Sequence, residues 1–193
     1  MLGTIVNDRQ FIELQKSGVI KIHPFDDNLL KTIHYPLYAS KFLKYKGRSE
    51  EEPKFEMKAD FSTGEDKVEF DPGEYLVSVV RQSICIQDDI VGHFVTSSKL
   101  IDFGFSLTCG RIEAPYGQNG EEVRFGIKNC VDIKNVIRRR DVIAYVYFMD
   151  LRALRNKGHF LSEEEAKLFK RWERRRAYAE DSGVHYVDES DHP

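Results

Sequence analysis

Short apolar runs of strand length, separated by turn residues, recur along most of this chain. The clearest example is residues 70–99, FDPGEYLVSVVRQSICIQDDIVGHFVTSSK. Asp71-Pro72-Gly73-Glu74 is typical of a turn, because proline fixes φ and glycine accepts a positive φ. Residues 75–86 predict a strand buried on at least one face, and Gln87-Asp88-Asp89 ends it. A second strand is predicted to start at residues 90–95, so this stretch favours antiparallel β-structure.

The same pattern extends to both sides of that stretch. Further strand-like runs span residues 19–26, 67–70, 104–109, 123–128 and 142–149, and the aromatic residues 35–45 suit a strand pair. The highly charged residues 46–60 are interpreted as an exposed loop, and Tyr116-Gly117-Gln118-Asn119-Gly120 as a hairpin-type turn. Many short strands at close spacing predict a mostly β barrel or jelly roll.

One helix is predicted near each end of the chain. Asn7 can cap the first, with Gln10 at the return position of a capping box and Gly18 as the C-cap. Ser162 and Glu165 form a second capping box, ahead of a helix that runs to about residue 180. We therefore expect a β domain in residues 1–155 and a C-terminal helix with an acidic tail in residues 156–193.

Composition and missing motifs exclude several classes of protein. The longest apolar runs are far too short to span a bilayer, and no signal peptide is evident, so we expect a cytoplasmic protein. The three cysteines, Cys85, Cys109 and Cys130, are interpreted as buried free thiols. The sequence has no P-loop, no Gly-x-Ser-x-Gly elbow and no Cys-x-x-Cys pair, which argues against P-loop NTPases, serine hydrolases and structural zinc sites.

The order of the motifs resembles the trimeric dCTP deaminase/dUTPase superfamily. The Pro-Gly-Glu turn, the aspartate pair and Ser97-Ser98 resemble the middle of those proteins. Asn7-Asp8-Arg9 with Ile22-His23-Pro24-Phe25-Asp26 resembles their N-terminal part, and Cys109-Gly110-Arg111-Ile112-Glu113 resembles their Ala-Gly-x-Ile-Asp segment. The match covers roughly residues 7–150. It implies a mainly β, dUTPase-like distorted β-barrel or jelly roll, with an N-terminal helix, a C-terminal helical extension and homotrimeric assembly.

The resemblance also implies a site for a pyrimidine deoxynucleotide at a subunit boundary. The nucleotide-binding candidates it implies are Ser97, Ser98, Lys99, Arg111 and Tyr116. Glu113 corresponds to the family aspartate that contacts the deoxyribose 3′-hydroxyl and positions water in dUTPases. No tightly bound cofactor and no protein metal site are expected. Mg²⁺ is expected only as a companion of a nucleoside triphosphate.

Several positions that the family uses for catalysis carry other residues in this chain. Gly126 stands where deaminases place the glutamate that activates water, a task that needs a carboxylate with a tuned pKa. Ile101 replaces a phosphate-binding arginine, and Ala144 replaces a glutamine that contacts triphosphate. Glu113 and Glu122, with Glu121 beside it, are the remaining catalytic candidates. The resemblance and these departures together imply a dCTP deaminase-like protein of pyrimidine deoxynucleotide metabolism that binds nucleotide and has weak or lost catalysis. The enzymatic version of this prediction is a dCTP deaminase or dUTP diphosphatase that uses Glu113, Glu121 or Glu122.

Each candidate also has a purely structural interpretation. A serine pair after a strand can be a turn or helix cap, Glu113 can be a solvated loop carboxylate, and Tyr116 can pack under the hairpin. The alternative function is a non-enzymatic trimeric scaffold or interaction protein. Its basic C-terminal helix would bind nucleic acid or a protein partner. That helix carries Lys167, Lys170, Arg171, Arg174, Arg175 and Arg176, with Trp172 and Tyr178 between them.

Overall fold

The computed structural model describes residues 4–48, 53–87 and 89–152, and most of these lie in β-strands. The helices are α1 (Asp8–Ser17) and α2 (Ser98–Asp102), with 3₁₀ turns at Asp27–Leu29 and Phe61–Thr63. The strands are β1 (Thr4–Ile5), β2 (Ile20–His23), β3 (Tyr35–Arg48), β4 (Pro53–Asp60), β5 (Lys67–Phe70), β6 (Tyr75–Val80), β7 (Ser83–Ile86), β8 (Ile90–Thr96), β9 (Phe105–Thr108), β10 (Arg111–Glu113), β11 (Arg124–Asn129), β12 (Asn135–Arg138) and β13 (Val142–Asp150).

One large antiparallel sheet organises these strands. Its order is β10-β8-β13-β3-β6-β11-β9, with β1 paired to β13 and β4 paired to β3. The pairs β12-β5 and β2-β7 form two small additional sheets. The large sheet curls into a half-barrel around the core, as the predicted dUTPase-like β fold requires. The core is dominated by aromatic and branched side chains, including Phe42, Phe70, Phe125, Phe148, Leu37 and Ile84.

Helix α1 forms for the reasons that the sequence indicates. The Asn7 side chain accepts a hydrogen bond from the Gln10 amide at 3.0 Å, and the Gln10 side chain accepts one from the Asn7 amide at 3.1 Å. Gly18 ends the helix with φ at +79°, a conformation that glycine adopts at little steric cost. Phe11 and Leu14 are buried beneath the helix. The predicted caps are confirmed.

The segment after residue 35 differs from its prediction. Residues 35–45 do not make a strand pair: they belong to the single 14-residue strand β3. The predicted loop at residues 46–60 contains β4, which pairs along β3 with bulges between Phe42 and Leu43 and between Tyr45 and Gly47. Five of the eight residues of β4 are exposed and only Ala59 is buried, so the backbone ladder to β3 holds most of the strand. The many charged side chains of β4 are typical of an exposed loop, so our sequence reasoning did not predict this strand.

The predicted strand at residues 75–86 is divided in two. Strand β6 lies in the large sheet, whereas β7 pairs with β2 in a separate sheet. Between them, the Gln82 side chain is 4% exposed and bonds across to β3: its Oε1 accepts from the Tyr38 amide and its Nε2 donates to the Pro36 carbonyl. This side chain replaces ladder bonds at the break and lets the chain change sheets.

The turn at residues 71–74 forms as predicted, and the side chains of Glu74 and Asn129 stabilise it. The Glu74 carboxylate accepts the Asp71 amide at 3.0 Å and receives the ammonium groups of Lys44 at 3.2 Å and Lys58 at 3.4 Å. The fully buried Asn129 amide donates to the carbonyls of Phe70, Asp71 and Ile133. The turn is thereby bonded to β3, β4 and the end of β11.

Other predictions meet the structure only in part. Cys85, Cys109 and Cys130 are free thiols as predicted, but none is fully buried: Cys85 and Cys109 are half-buried and Cys130 is exposed. In the part of the chain that the structure describes, no helix has the length and apolar character needed to cross a membrane. The predicted C-terminal helix and acidic tail lie outside the described residues, so the two-domain division stays a prediction.

Candidate functional site

The serine pair opens the short helix α2. Ser97 is its N-cap and is only 2% exposed, and its hydroxyl donates to the Val142 carbonyl at 2.5 Å and accepts from the Leu100 amide at 3.3 Å. Both bonds are internal to the fold, so the capping interpretation accounts for Ser97. Ser98, one residue on, is exposed. Of the two serines, Ser98 is therefore the one that solvent or a ligand can reach.

Lys99 is held by a carboxylate of its own chain. Its Nζ lies 2.6 Å from Oδ1 of Asp141, whose side chain is only 9% exposed, and 5.8 Å from the centre of the Phe103 ring. The other Asp141 oxygen accepts the Arg138 amide at 2.8 Å. A lysine in such a pair offers a ligand less positive charge than a free lysine does.

Arg111 and Glu113 lie on β10, at the edge of the large sheet. Side chains two residues apart in a strand lie on the same face of the sheet. Arg111 and Glu113 therefore share one exposed face, and Ile112 between them is buried. Arg111 Nε is 2.5 Å from Glu113 Oε1, with 65% and 51% of the two side chains exposed. Exposed pairs of this kind are weakly held, so both groups are available to a ligand.

Tyr116 follows a cis Ala114-Pro115 bond and packs against the core, half-buried. Burial raises the pKa of its hydroxyl, and the nearby Glu121 carboxylate adds to the effect. The next residue fixes the turn, because a Cβ on Gly117, at φ +83°, would lie 1.9 Å from the Ile84 carbonyl oxygen. The packing interpretation of Tyr116 matches this position.

The hydrogen bonds around Glu121 and Glu122 favour the ionised form of both carboxylates. The hydrogen bond from Lys41, at 3.0 Å, holds the pKa of Glu122 below its usual value, and Arg124 contributes at 3.1 Å. Backbone hydrogen bonds, with further bonds from Asn119, lower the pKa of Glu121. A general base that works near neutral pH needs its pKa raised, so neither carboxylate has the required tuning.

The position that corresponds to the deaminase glutamate is covered by a tyrosine. Gly126 lies on β11 opposite Val77 of β6, and Tyr75 is on the same face two residues along. A Cβ added to Gly126 would lie 2.0 Å from the Tyr75 hydroxyl oxygen and 2.6 Å from two of its ring carbons. The phenol thus fills the space where a longer side chain would begin. Our sequence reasoning missed Tyr75, which only the strand register identifies.

The candidates form three separate groups within one chain. Ser97, Ser98 and Lys99 lie at α2; Arg111 and Glu113 lie on β10; Glu121 and Glu122 lie before β11. No hydrogen bond or ion pair among the described side chains connects one group to another. Within residues 4–48, 53–87 and 89–152, no cluster of three or more His, Cys, Asp or Glu side chains could hold a metal ion.

Comparison with solved structures identifies the architecture. The 2′-deoxycytidine 5′-triphosphate deaminase from Agrobacterium tumefaciens superposes with a TM-score of 0.60 at 12% identity, covering 78% of this chain and 49% of that chain. The chain has the dCTP deaminase fold. It spans about half of the length of that deaminase.

Two dUTPases were also matched. The native enzyme of EIAV gives a TM-score of 0.40 at 11% identity, covering 60% of this chain and 87% of that one. The dUTPase from phage phi11 of S. aureus gives 0.44 at 13% identity, covering 67% and 88%. No protein-family model and no curated protein sequence matches the chain. At these identities the dCTP deaminase fold is established and the activity is not.

Proposed function

We propose that this protein binds a pyrimidine deoxynucleotide between the subunits of a homotrimer and does not carry out standard cytosine deamination. The fold supports the nucleotide part of the proposal, because the comparable architecture is that of a dCTP deaminase. The proposal also accounts for three groups of candidate residues that do not meet within one chain. In a symmetric trimer, a cleft between subunits can combine groups from neighbouring copies.

The observation that carries the loss of deamination is the Tyr75 phenol over Gly126. Deamination requires a group that takes a proton from water and returns it to the ring. Gly126 has no side chain for this task, and a side chain there would have to displace the Tyr75 phenol, which is 43% exposed. Glu121 and Glu122 have lowered pKa values, so neither replaces the missing base.

The binding role rests on Ser98, Arg111 and Glu113. All three are exposed, and the Arg111 guanidinium has the planar fork that suits phosphate oxygens. Glu113 would accept a hydrogen bond from a sugar hydroxyl once Arg111 turns to the phosphates. Mg²⁺, when present, would arrive with the triphosphate rather than on a protein site.

Two measurements test this function. Light scattering after size exclusion should give the mass of a trimer, and calorimetric titration with dCTP and with dUTP in Mg²⁺ should give saturable binding. Arg111→Gln and Glu113→Gln should each weaken binding about tenfold, as expected for losing a charge-assisted hydrogen bond. Glu69→Gln removes an equally exposed carboxylate that pairs only locally with Lys67, and it should leave the affinity unchanged.

A monomer that binds neither nucleotide at about 1 mM, by calorimetry or by a rise in melting temperature, would overturn the proposal. The alternative function, an interaction protein that uses its basic C-terminal helix, falls on residues outside the described part of the chain. It stays a prediction from sequence.

A further inference from the structure

A polar cavity is lined by residues that are not among the nucleotide-binding or catalytic candidates. Its volume is about 600 Å³, and arginines dominate its lining. The lining residues are Leu29, Tyr38, Asp66, Arg81, Arg139 and Arg140. None of them belongs to the serine helix, to β10 or to the carboxylate pair before β11. The cavity is large enough for a small organic ligand.

Hydrogen bonds hold the walls of this cavity together. The Arg81 amide donates to the Tyr38 carbonyl at 2.7 Å, which ties the break between β6 and β7 to β3. The Arg139 amide donates to the Asp66 carbonyl at 2.8 Å, which ties the turn after β12 to the start of β5. The lining is therefore placed by backbone bonds between elements far apart in sequence.

The guanidinium of Arg81 is positioned before any ligand arrives. It lies 5.5 Å from the centre of the Tyr38 ring, in cation–π geometry, and its Nη2 donates to the Arg139 carbonyl at 3.4 Å. Stacking on a ring and bonding to a carbonyl restrict its rotamers while leaving other N–H groups available. A guanidinium held in this way loses less conformational entropy when it binds an oxyanion.

Arg139 and Arg140 project from a tight turn with a buried anchor. Asp141, 8% exposed, accepts the Arg138 amide through Oδ2 at 2.8 Å, and its own amide donates to the Arg138 carbonyl at 2.9 Å. Lys99 neutralises the other oxygen of the same carboxylate. Both oxygens of the Asp141 carboxylate therefore stabilise the turn, and neither pairs with the guanidinium of Arg139 or Arg140.

The charge around the cavity is unbalanced. Among the described lining residues, three guanidiniums face one carboxylate, that of Asp66. The arginine ion pairs among the described residues involve Arg111, Arg124 and Arg152, and none involves a cavity arginine. Bringing like charges together is unfavourable, and a multivalent anion removes that repulsion. Arginine forks also match phosphate oxygens in geometry.

We propose that this cavity binds the di- or triphosphate group of a small molecule, at a site separate from the nucleotide cleft proposed above. Either inorganic polyphosphate or a nucleoside polyphosphate supplies that group. A small ligand fits better than a nucleic acid, because the basic side chains converge on a concavity. The neighbouring Lys67 is already paired with Glu69 at 2.7 Å, so the basic surface does not extend along β5.

The test uses the full chain and calorimetric titration with sodium tripolyphosphate, without Mg²⁺. The wild type should bind one tripolyphosphate per chain at the cavity, and Arg139→Gln/Arg140→Gln should weaken that binding at least about tenfold. Arg9→Gln/Lys16→Gln removes two exposed positive charges from α1 and should leave it unchanged. Circular dichroism checks folding, and Arg140→Gln alone replaces the double variant if that variant is unfolded.

Further titrations separate this site from its alternatives. A wild type that does not bind tripolyphosphate, or arginine variants that bind it as tightly, would overturn the proposal. So would loss of binding in Arg111→Gln with retention in the cavity variant, because the anion would then occupy the proposed nucleotide cleft. Tight, strongly salt-dependent binding of a single-stranded oligonucleotide without binding of tripolyphosphate would assign the surface to nucleic acid instead.

Comparison with dCTP identifies the source of the phosphate group. In the Arg111→Gln background, equal affinities for dCTP and tripolyphosphate at the cavity would mean that only the phosphate chain is recognised. A higher affinity for dCTP would add recognition of the nucleoside. Failure of the nucleotide cleft alone would leave cavity binding intact, so the two proposals can fail separately.

Discussion

The turn at residues 71–74 and the start of helix α2 at residues 97–99 both resemble family motifs, but the structure uses them differently. In the turn, the motif residues Asp71 and Glu74 bond to each other and to β3, β4 and β11. At α2, Ser97 bonds to Val142 and Lys99 to Asp141, while Ser98 and half of the Lys99 side chain are exposed. The sequence alone does not separate motif residues that bond within the fold from motif residues that stay exposed, whereas their side-chain partners do.

The same contrast appears around β11. Its last residue, Asn129, is fully buried and supports the turn. Three residues earlier, Gly126 lacks the side chain on which deaminase chemistry depends, and Tyr75 occupies the space. The two positions share strand β11, and the structure gives them different surroundings: Asn129 bonds to the turn, whereas Gly126 lies beneath the Tyr75 phenol.

The largest effect is expected at Asn129. Asn129→Ala should reduce the free energy of unfolding by about 3 kcal/mol or more, because it removes the hydrogen bonds that a fully buried amide donates to three backbone carbonyls. Urea denaturation measures the change. Asn119→Ala, at an exposed turn, is the control and should stay within about 0.5 kcal/mol of wild type. Equal losses of stability in the two variants would contradict the structural role assigned to Asn129.

Glu74 should make the scaffold sensitive to acid. Burial raises the pKa of Glu74, but the Asp71 amide and the ammonium groups of Lys44 and Lys58 outweigh it, so the pKa lies below its usual value. A lowered pKa in the folded state gives stability that is present above about pH 4.3, the unfolded value, and is lost as pH falls through the folded pKa.

Glu74→Gln should therefore be about 1–3 kcal/mol less stable than wild type at pH 7, with the difference shrinking below about pH 4.3. Denaturant titrations across this pH range supply the measurement. Glu69→Gln, at an exposed carboxylate, should show a much smaller difference at every pH. A constant difference for Glu74→Gln down to low pH would contradict the role assigned to its charge.

Ser97 and Ser98 provide the sharpest contrast between neighbours. Ser97→Ala should cost about 1–2 kcal/mol, since it removes the N-cap of α2 and leaves the Val142 carbonyl without its hydroxyl donor. Ser98→Ala should change stability by less than about 0.5 kcal/mol and should weaken nucleotide binding instead. Thermal denaturation measures the stability of both variants, and calorimetry measures their nucleotide binding. A loss of stability in Ser98→Ala together with a loss of binding alone in Ser97→Ala would contradict the roles assigned to the two serines.

A stability effect of the same size as that of Ser97→Ala is expected at Gly126. Gly126→Glu should cost about 1–2 kcal/mol, because the new side chain displaces Tyr75. In Gly126→Glu/Tyr75→Ala the displacement penalty should disappear, so the two changes should not be additive. A double-mutant cycle by urea denaturation measures this coupling. Additive effects would mean that Tyr75 does not block the position.

Much of the fold could be predicted from local sequence chemistry. The α1 caps, the Pro-Gly turn and the apolar runs of β6, β8, β11 and β13 each carry their own signal. Strand β4 was not predicted, because its many exposed, charged residues are typical of a loop and its hydrogen bonds to β3 make it a strand. Local patterns do not report pairing of that kind.

The candidate site was less predictable, for a related reason. The residues could be listed from the family resemblance, but their partners are distant in sequence. The ion pair of Asp141 with Lys99 and the contact of Tyr75 with Gly126 form only because the fold brings distant segments together. The arginine cavity likewise combines β3, the break after β6 and the turn after β12. Such meetings depend on tertiary structure.

The most direct test of the central claim is a dCTP turnover assay on the purified full chain. The purified protein is incubated with about 1 mM dCTP and Mg²⁺, and dUTP, dUMP and ammonia are followed by chromatography and a coupled assay. Our account predicts that dCTP raises the melting temperature while none of these products forms above the buffer control. Formation of dUTP or dUMP that persists in the wild type and disappears in Glu113→Gln or Glu122→Gln would contradict it.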